Sequence, residues 1–441
     1  MPNVPDAETS DAGRLIARVL GWAAIVAVLG AGVVVQVIRP LAPDLGAVPD
    51  PTRWFPPRLL DHIAAYRGPL RVAGVMAQVI DVAVPLAVAA TPAGRRFVRR
   101  IIATVGPARP VRAAVAVVIV VVTLTGLVQL PLGFWAHRHA VAFGLSTQSV
   151  AGWMGDWAIA RGVELLVVTV LALMGWAILR RWPRRWYLIA APAGVVLVAL
   201  AVLLSPLLIE PLLYDLRPLP PGETRRELQA VLAADGRSQA PLLVADASRR
   251  TTAQNAYVSG LWGTRRVVLY DTLLERPPEQ VAQVLAHELA HERNRDLARG
   301  VLAGAAGWVV LCGVLAVWLR WAAAGGRSSA PDDPHGAGAL IAVIAVVVTL
   351  ATPVTAWSSR RAEAAADLGA LELTADPATF CAMQRGLVER NLSDPAPPTW
   401  QRLWSWSHPP AASRLALAEH WSAGAIDGCR RADLTDPGQT G

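Results

Sequence analysis

Two histidines four residues apart, His287 and His291, bracket a glutamate in the stretch Val281-Ala-Gln-Val-Leu-Ala-His-Glu-Leu-Ala-His-Glu-Arg-Asn-Arg-Asp296. On a helix, residues at that spacing share a face one turn apart, so both imidazoles point the same way. Two imidazoles so placed can take two corners of a zinc tetrahedron, with Glu288 beside them to handle a proton. The local sequence predicts the helix. Pro277-Pro278 suits a first turn, Glu279 suits the positive end of the helix dipole, and Val281, Leu285 and Leu289 form an apolar stripe. Taken alone, the motif is equally compatible with a chance match on a polar helix.

A catalytic zinc also needs a third protein ligand and an open position for water. Further along stands Ser359-Arg-Arg-Ala-Glu363-Ala-Ala-Ala-Asp367. Glu363 is the best candidate for the third ligand. Asp367, one turn later on the same face, would accept a hydrogen bond from the free N–H of a zinc-bound histidine and so fix its tautomer. Without the histidine pair, the same segment reads as a surface helix with acids at i and i+4.

These residues have to be positioned by a chain that is too apolar for an ordinary soluble enzyme. It has 441 residues, 54% of them hydrophobic, and a mean hydropathy of +0.40, which makes a polytopic membrane protein the first expectation. The net charge of +8 comes from arginine, with no lysine anywhere, a bias that fits GC-rich coding and a bacterial source. The arginines cluster in short loops between apolar runs, a topology signal and not a nucleic-acid patch, so no nucleic-acid partner is expected. Three cysteines exclude a disulfide-rich scaffold.

Seven runs are long enough to cross a bilayer, taking about 20 residues as the requirement. They are Val19–Ile38, Val72–Ala90, Ala113–Trp135, Gly162–Leu179, Trp186–Ile209, Gly300–Leu319 and Gly336–Trp357. The first follows an acidic start and reads as a retained span, not a signal peptide. Gln36, Gln78, Asp81, Gln129 and Glu164 lie within spans, where polar groups face protein or a water-filled cavity. Interhelical hydrogen bonding would account for most of them, and Asp81 is read as facing a cavity. Residues 1–209 thus form a membrane region with five spans, and 210–299 a catalytic insert. Residues 300–357 hold the last two spans, 358–426 are C-terminal catalytic helices with the third zinc ligand, and 427–441 are expected to be a flexible tail. Within the insert a helix is predicted at Glu223–Ala234 and strands at Leu242–Asp246, Asn255–Ser259 and Arg266–Tyr270.

Positive-inside counting places the loops carrying Arg95, Arg96, Arg99, Arg100, Arg109 and Arg112, and Arg180, Arg181, Arg184 and Arg185, in the cytoplasm. The catalytic side is then extracytoplasmic, where Cys381 and Cys429 could pair. Against this stand Arg217, Arg295, Arg299, Arg360 and Arg361 near span ends on the catalytic side.

The ordered set of segments resembles the type I CAAX prenyl proteases, integral-membrane zinc endopeptidases related to the HtpX peptidases. The segments are Asn255-Ala-Tyr-Val-Ser-Gly260, Arg266-Val-Val-Leu-Tyr-Asp-Thr-Leu-Leu274, His287–His291, Arg361-Ala-Glu-Ala-Ala-Ala-Asp367, and Ser407-His-Pro-Pro410 followed by Arg414. The resemblance implies a mainly α fold, a bundle of about seven transmembrane helices enclosing a chamber, with a gluzincin-like α+β zinc protease domain at its mouth. It implies one zinc ion on His287, His291 and Glu363, with Glu288 as general base. It implies that Asn255, Ala256 and Tyr257 belong to an edge that holds an extended peptide, although Asn255 also reads as a turn residue. His408 and Arg414 match a late element of the family that would stabilise an oxyanion or orient Glu363, although a histidine before Pro-Pro is often structural. The expected partners are the lipid bilayer and a peptide or membrane-protein substrate, lipidated or not.

Departures from the family are also visible. Glu292-Arg-Asn-Arg-Asp296 is unusually charged, a second aromatic after Asn255-Ala-Tyr257 is missing, and the loop Trp321–His335 is short. These bear on the substrate. An HtpX-like quality-control protease and a membrane protein keeping the site as a relic are the rival readings.

Overall fold

The computed structural model describes residues 47–422 apart from positions 107, 209, 237–239, 261–264 and 325–333, together with Cys429. The expected span Val19–Ile38 lies outside the described residues. The other six expected spans each fall on one long helix: α1 (Pro57–Ala90), α3 (Pro110–Ala142), α4 (Val150–Arg181), α5 (Trp186–Leu208), α8 (Asp296–Ala324) and α9 (Ala337–Thr374). A short basic amphipathic helix, α2 (Pro92–Val105), links α1 to α3 and buries Val98 and Ile102 while its arginines face outward. Prolines start α1, α2 and α3, where the missing N–H costs nothing, and Thr91 and Ser149 cap α2 and α4 by accepting from Gly94 N and Gly152 N.

Several of these helices outrun the membrane. At about 1.5 Å per residue, the 38 residues of α9 reach roughly 57 Å, against a hydrocarbon core of about 30 Å. The surplus carries Glu363 and Asp367 out of the bilayer without a break. Helices α8 and α9 accordingly run continuously across the expected boundaries at 299/300 and 357/358.

Between α5 and α8 lies the rest of the catalytic insert: β1 (Leu216–Pro218), α6 (Glu223–Ala234), β2 (Leu242–Ala245), β3 (Ala256–Ser259), β4 (Arg266–Tyr270) and α7 (Pro278–Arg293). The strands form one sheet in the order β1-β2-β4-β3, with β2 and β4 parallel and both outer pairs antiparallel. β1 went unpredicted because three residues ending in proline carry no period. After α9 come α10 (Pro377–Asn391), α11 (Thr399–Trp404) and α12 (Ala411–Trp421).

The two parts are packed differently. The catalytic core centres on α7, whose Val281, Leu285 and Leu289 are fully buried against α6, α10, α12 and one face of the sheet. The bundle instead encloses a cavity of about 500 Å³ lined mainly by apolar side chains, with Asp81, Arg161 and Glu164 on its wall. Gln129 donates to Asp81 Oδ1 at 2.7 Å, and Arg161 pairs with Glu164. Gln78 accepts from Trp404 Nε1 at 3.0 Å, so these groups in the spans find protein partners as well as a cavity. Where α5 crosses α8, Trp308 donates to Ala190 O at 2.9 Å, and a Cβ on Gly194 would fall 1.8 Å from that indole nitrogen. Only glycine allows this crossing.

Candidate metal centre

Helix α7 begins at Pro278 behind an extended Pro277, as the sequence predicts, but it is buried on nearly every side and not along one stripe. Gln283, buried in the core, donates to Thr374 Oγ1 at 3.0 Å and to Asp376 O at 3.1 Å, which pins α7 to the end of α9. The two helices approach closely where Gly369 meets Ala290. A Cβ on Gly369 would lie 2.6 Å from the Ala290 Cβ. That approach brings Glu363 and Asp367 to the face of α7 that carries the histidines.

His287 Nε2 and His291 Nε2 stand 3.1 Å apart, and the Glu363 carboxylate lies 3.3 Å from the first and 3.5 Å from the second. Zinc–nitrogen bonds of about 2.0–2.1 Å in a tetrahedron require ligand atoms about 3.3 Å apart, and the two nitrogens and the carboxylate, which meets His287 through Oε2 and His291 through Oε1, lie close to that spacing. The outer nitrogens are fixed. His287 Nδ1 is 3.0 Å from Asp367 Oδ1, and His291 Nδ1 is 2.9 Å from Asp296 Oδ2. With each Nδ1 donating to a carboxylate, each Nε2 presents a lone pair to the same point, and only a cation relieves the repulsion of three such donors. The electrostatics agree. Burial by itself would lower the His291 pKa, but hydrogen bonds to Asp296 and Glu363 carry it up to about 10. The pocket favours positive charge. Once a metal displaces the His291 proton, the donor set of two imidazoles and a carboxylate suits zinc.

Asp296 was missed in the sequence as an orienting residue. It lies five positions beyond His291, outside the i+4 pattern, and reaches back because the chain turns between α7 and α8. Arg295 adopts left-handed backbone (φ 56°) at that turn, and Asp296 then opens α8. The signal was an acid in the first turn of the following helix.

Glu288 points toward the sheet. Burial pushes its carboxyl upward, while the two imidazoles and the backbone N–H of Val258 pull it back. β3 pairs only with β4 among the described residues. Asn255 O accepts from Tyr270 N at 3.0 Å, so the pairing alternation turns the backbone groups of Ala256 and Val258 outward, toward Glu288. Asn255 itself is exposed, and Ala256 is buried. Tyr257 lies on the other face beside Tyr270, its buried hydroxyl without a hydrogen-bond partner among the described residues.

His408 Nε2 stands 3.5 Å from Glu363 Oε1, with more than half of its side chain (58%) exposed on the open side of the site. Arg414 lies elsewhere. It donates from Nε to Asp367 Oδ2 at 2.7 Å and from Nη2 to Asp367 Oδ1, behind His287 and away from the open side. Cys381 and Cys429 form a disulfide, with Cα atoms 5.1 Å apart.

Comparison with known proteins puts this site in a family. A model of peptidase family M48 matches residues 218–422, which include His287, Glu288, His291, Asp296, Glu363, Asp367, His408 and Arg414. The uncharacterized metalloprotease YhfN of Bacillus subtilis is 26% identical over 310 residues, covering 69% of this chain and 73% of that one. CAAX prenyl protease 1 of Saccharomyces cerevisiae is 26% identical over 185 residues, 41% of this chain and 40% of the yeast protein. The crystal structure of S. mikatae Ste24p superposes with a TM-score of 0.71 at 17% identity, covering 95% of this chain and all of that one. The chain is a membrane metalloprotease similar to the type I CAAX prenyl proteases. As a metalloprotease it is a hydrolase that acts on a peptide or protein, and it is an integral multi-pass membrane protein. Ste24p shares its fold.

Proposed function

We propose that this metalloprotease is a zinc endopeptidase that cuts an extended peptide lying along the free edge of β3. The observation that carries the reading is the tetrahedral spacing of His287, His291 and Glu363, with Glu288 between them and that edge. A single zinc ion held there would acidify a water and polarise the scissile carbonyl. Glu288 takes the proton from the attacking water and returns it to the leaving amine. The outward backbone groups of Ala256 and Val258 hold the peptide by added-strand hydrogen bonding, with Asn255 and Tyr257 flanking them. His408, at the open side, is placed to donate toward the developing oxyanion. Arg414 acts through Asp367 and His287 as a positioning residue.

The substrate is a peptide or membrane-protein segment that reaches the site from the bilayer, lipidated or not, and the cavity in the bundle favours apolar groups. We place the catalytic side outside the cytoplasm of a bacterial cell. Ten arginines cluster at the opposite end, in the links from α1 to α3 and from α4 to α5, and the Cys381–Cys429 disulfide suits an oxidising compartment.

The test compares detergent-purified parent with Glu288→Gln for metal content and for cleavage of an unstructured reporter peptide. Zinc in both, with kcat lower by about 10²–10⁴-fold in the variant, is expected for loss of a general base. Equal activity in the two proteins refutes the reading.

A further inference from the structure

Above the lipid-facing side of α1, the loop Leu392–Pro398 and helix α11 fold over a pocket of about 320 Å³ that is separate from the metal centre. Its floor is α1, through Arg67, Arg71 and Gln78. Its cover is Trp400, Gln401, Trp404 and Trp406.

Three features of this pocket go together. First, it lies at the level of the membrane surface. Trp400 and Leu403 of α11 are 51% and 59% exposed, and Trp135 of α3 and Trp357 of α9, also exposed, stand at the corresponding ends of the apolar runs. Tryptophan gathers at that depth because its ring is apolar and its N–H is polar. Just below, Val72, Val75, Met76 and Val79 of α1 make an exposed apolar strip. Second, the pocket carries net positive charge. Arg71 Nη1 pairs with Asp394 at 2.6 Å, and Arg67 donates to Leu392 O at 2.6 Å and Asn391 O at 2.9 Å, so one carboxylate answers two guanidiniums. Third, the Trp406 indole N–H is buried and has no acceptor among the described residues, and Gln401 Oε1 beside it is buried without a donor. Burying a donor unpaired costs free energy, so an acceptor in the pocket is expected.

We propose that this pocket binds the headgroup of an anionic phospholipid. Its phosphate accepts from the remaining N–H groups of Arg67 and Arg71 and from Trp406 Nε1, and its acyl chains lie along Val72, Val75 and Val79. Basic pockets beside membrane helices hold such headgroups by this combination of charge and apolar contact. A soluble anion would use the donors but not the strip. The bound lipid fastens α1 to the segment that leads into His408. Arg360 of α9 ties the same segment down by donating from Nη1 to Arg402 O and Trp406 O, each at 2.6 Å. The binding claim does not depend on the protease reading, because it concerns none of the residues of the metal centre.

The test is native mass spectrometry of the delipidated full-length protein, titrated with phosphatidylglycerol or phosphatidylcholine of the same acyl chains. One phosphatidylglycerol is expected to bind with clear preference. Removing one positive charge in Arg71→Gln should weaken it roughly fivefold. Trp406→Phe should weaken it as well, Arg71→Lys should keep most of the preference, and Arg184→Gln at the opposite membrane face should change nothing. If Arg71→Gln does not fold, Arg71→Lys and Trp406→Phe still decide. Equal binding of the two lipids, unchanged binding in Trp406→Phe, or displacement by millimolar glycerol phosphate would each overturn the proposal. Metal content, measured alongside, stays at the parent's level in every variant. A lipid result and a protease result can therefore fail separately.

Discussion

Helices α7 and α4 are both long and both helical, and they are packed in opposite ways. Along α7 nearly every side chain from Val281 to Ala290 is buried, and polar ones such as Gln283 are tied to named partners. Along α4 only Trp176, Ile178 and Leu179 are buried, while Leu166, Val167, Val170 and Leu173 lie open to lipid or to the cavity. The difference follows from solvent. In water, α7 must bury its apolar surface and leave no polar group unpaired, which holds the histidines in one arrangement. In lipid, an apolar side chain gains little by leaving the tails, so the bundle tolerates a large cavity. The molecule is rigid where it holds a metal and roomy where a substrate would pass.

That contrast can be broken most severely at the ligands. Glu363→Gln, or chelation of the parent, should remove the metal and take hydrolysis below detection, measured by elemental analysis and reporter cleavage. Chelation should also lower the thermal midpoint, because His287, His291 and Glu363 then direct lone pairs at one point with nothing between them.

Next comes a pair of glycines. Gly369→Ala inserts a methyl between α9 and α7, and Gly194→Ala inserts one against Trp308. Each should cost about 1–3 kcal/mol by overpacking, seen as a lower unfolding midpoint. Only Gly369→Ala should weaken metal binding, because only that crossing sets the distance from Glu363 to the histidines. Loss of metal in both would mean that the bundle and the centre are one packed unit.

A smaller effect sharpens the comparison at single carboxylates. Asp296→Ala removes the acceptor that orients His291 and should weaken metal affinity about 10–100-fold in a competition titration. Asp81→Asn, in the cavity wall, should leave metal affinity unchanged. Its stability cost should be about 0.6 kcal/mol, the usual size for a polar pair within a membrane bundle.

Much of this was legible in the chain. The six described spans, the strands at 242, 256 and 266, and helices α6 and α7 follow from apolar period and capping residues, which are local properties. His287 and His291 were legible because helical spacing alone places two imidazoles on one face. Glu363 and Asp367 were legible only as candidates. They lie more than 70 positions further on, and nothing local says which helix they face. The role of Asp296 was hidden, because it depends on the left-handed turn at Arg295. Arg414 could be matched by resemblance, but its place behind His287, on Asp367, could not.

What the sequence by itself determined is therefore the membrane architecture, the metal-binding helix and the kinds of ligand, since each depends on neighbours in the chain. Only the tertiary structure decided the spacing of the metal face, the partners of the two Nδ1 atoms, the free edge of β3 and the pocket over α1. Each of these arises where segments far apart in sequence meet. Their separation is set by packing at single points such as Gly369 against Ala290, which no local pattern encodes.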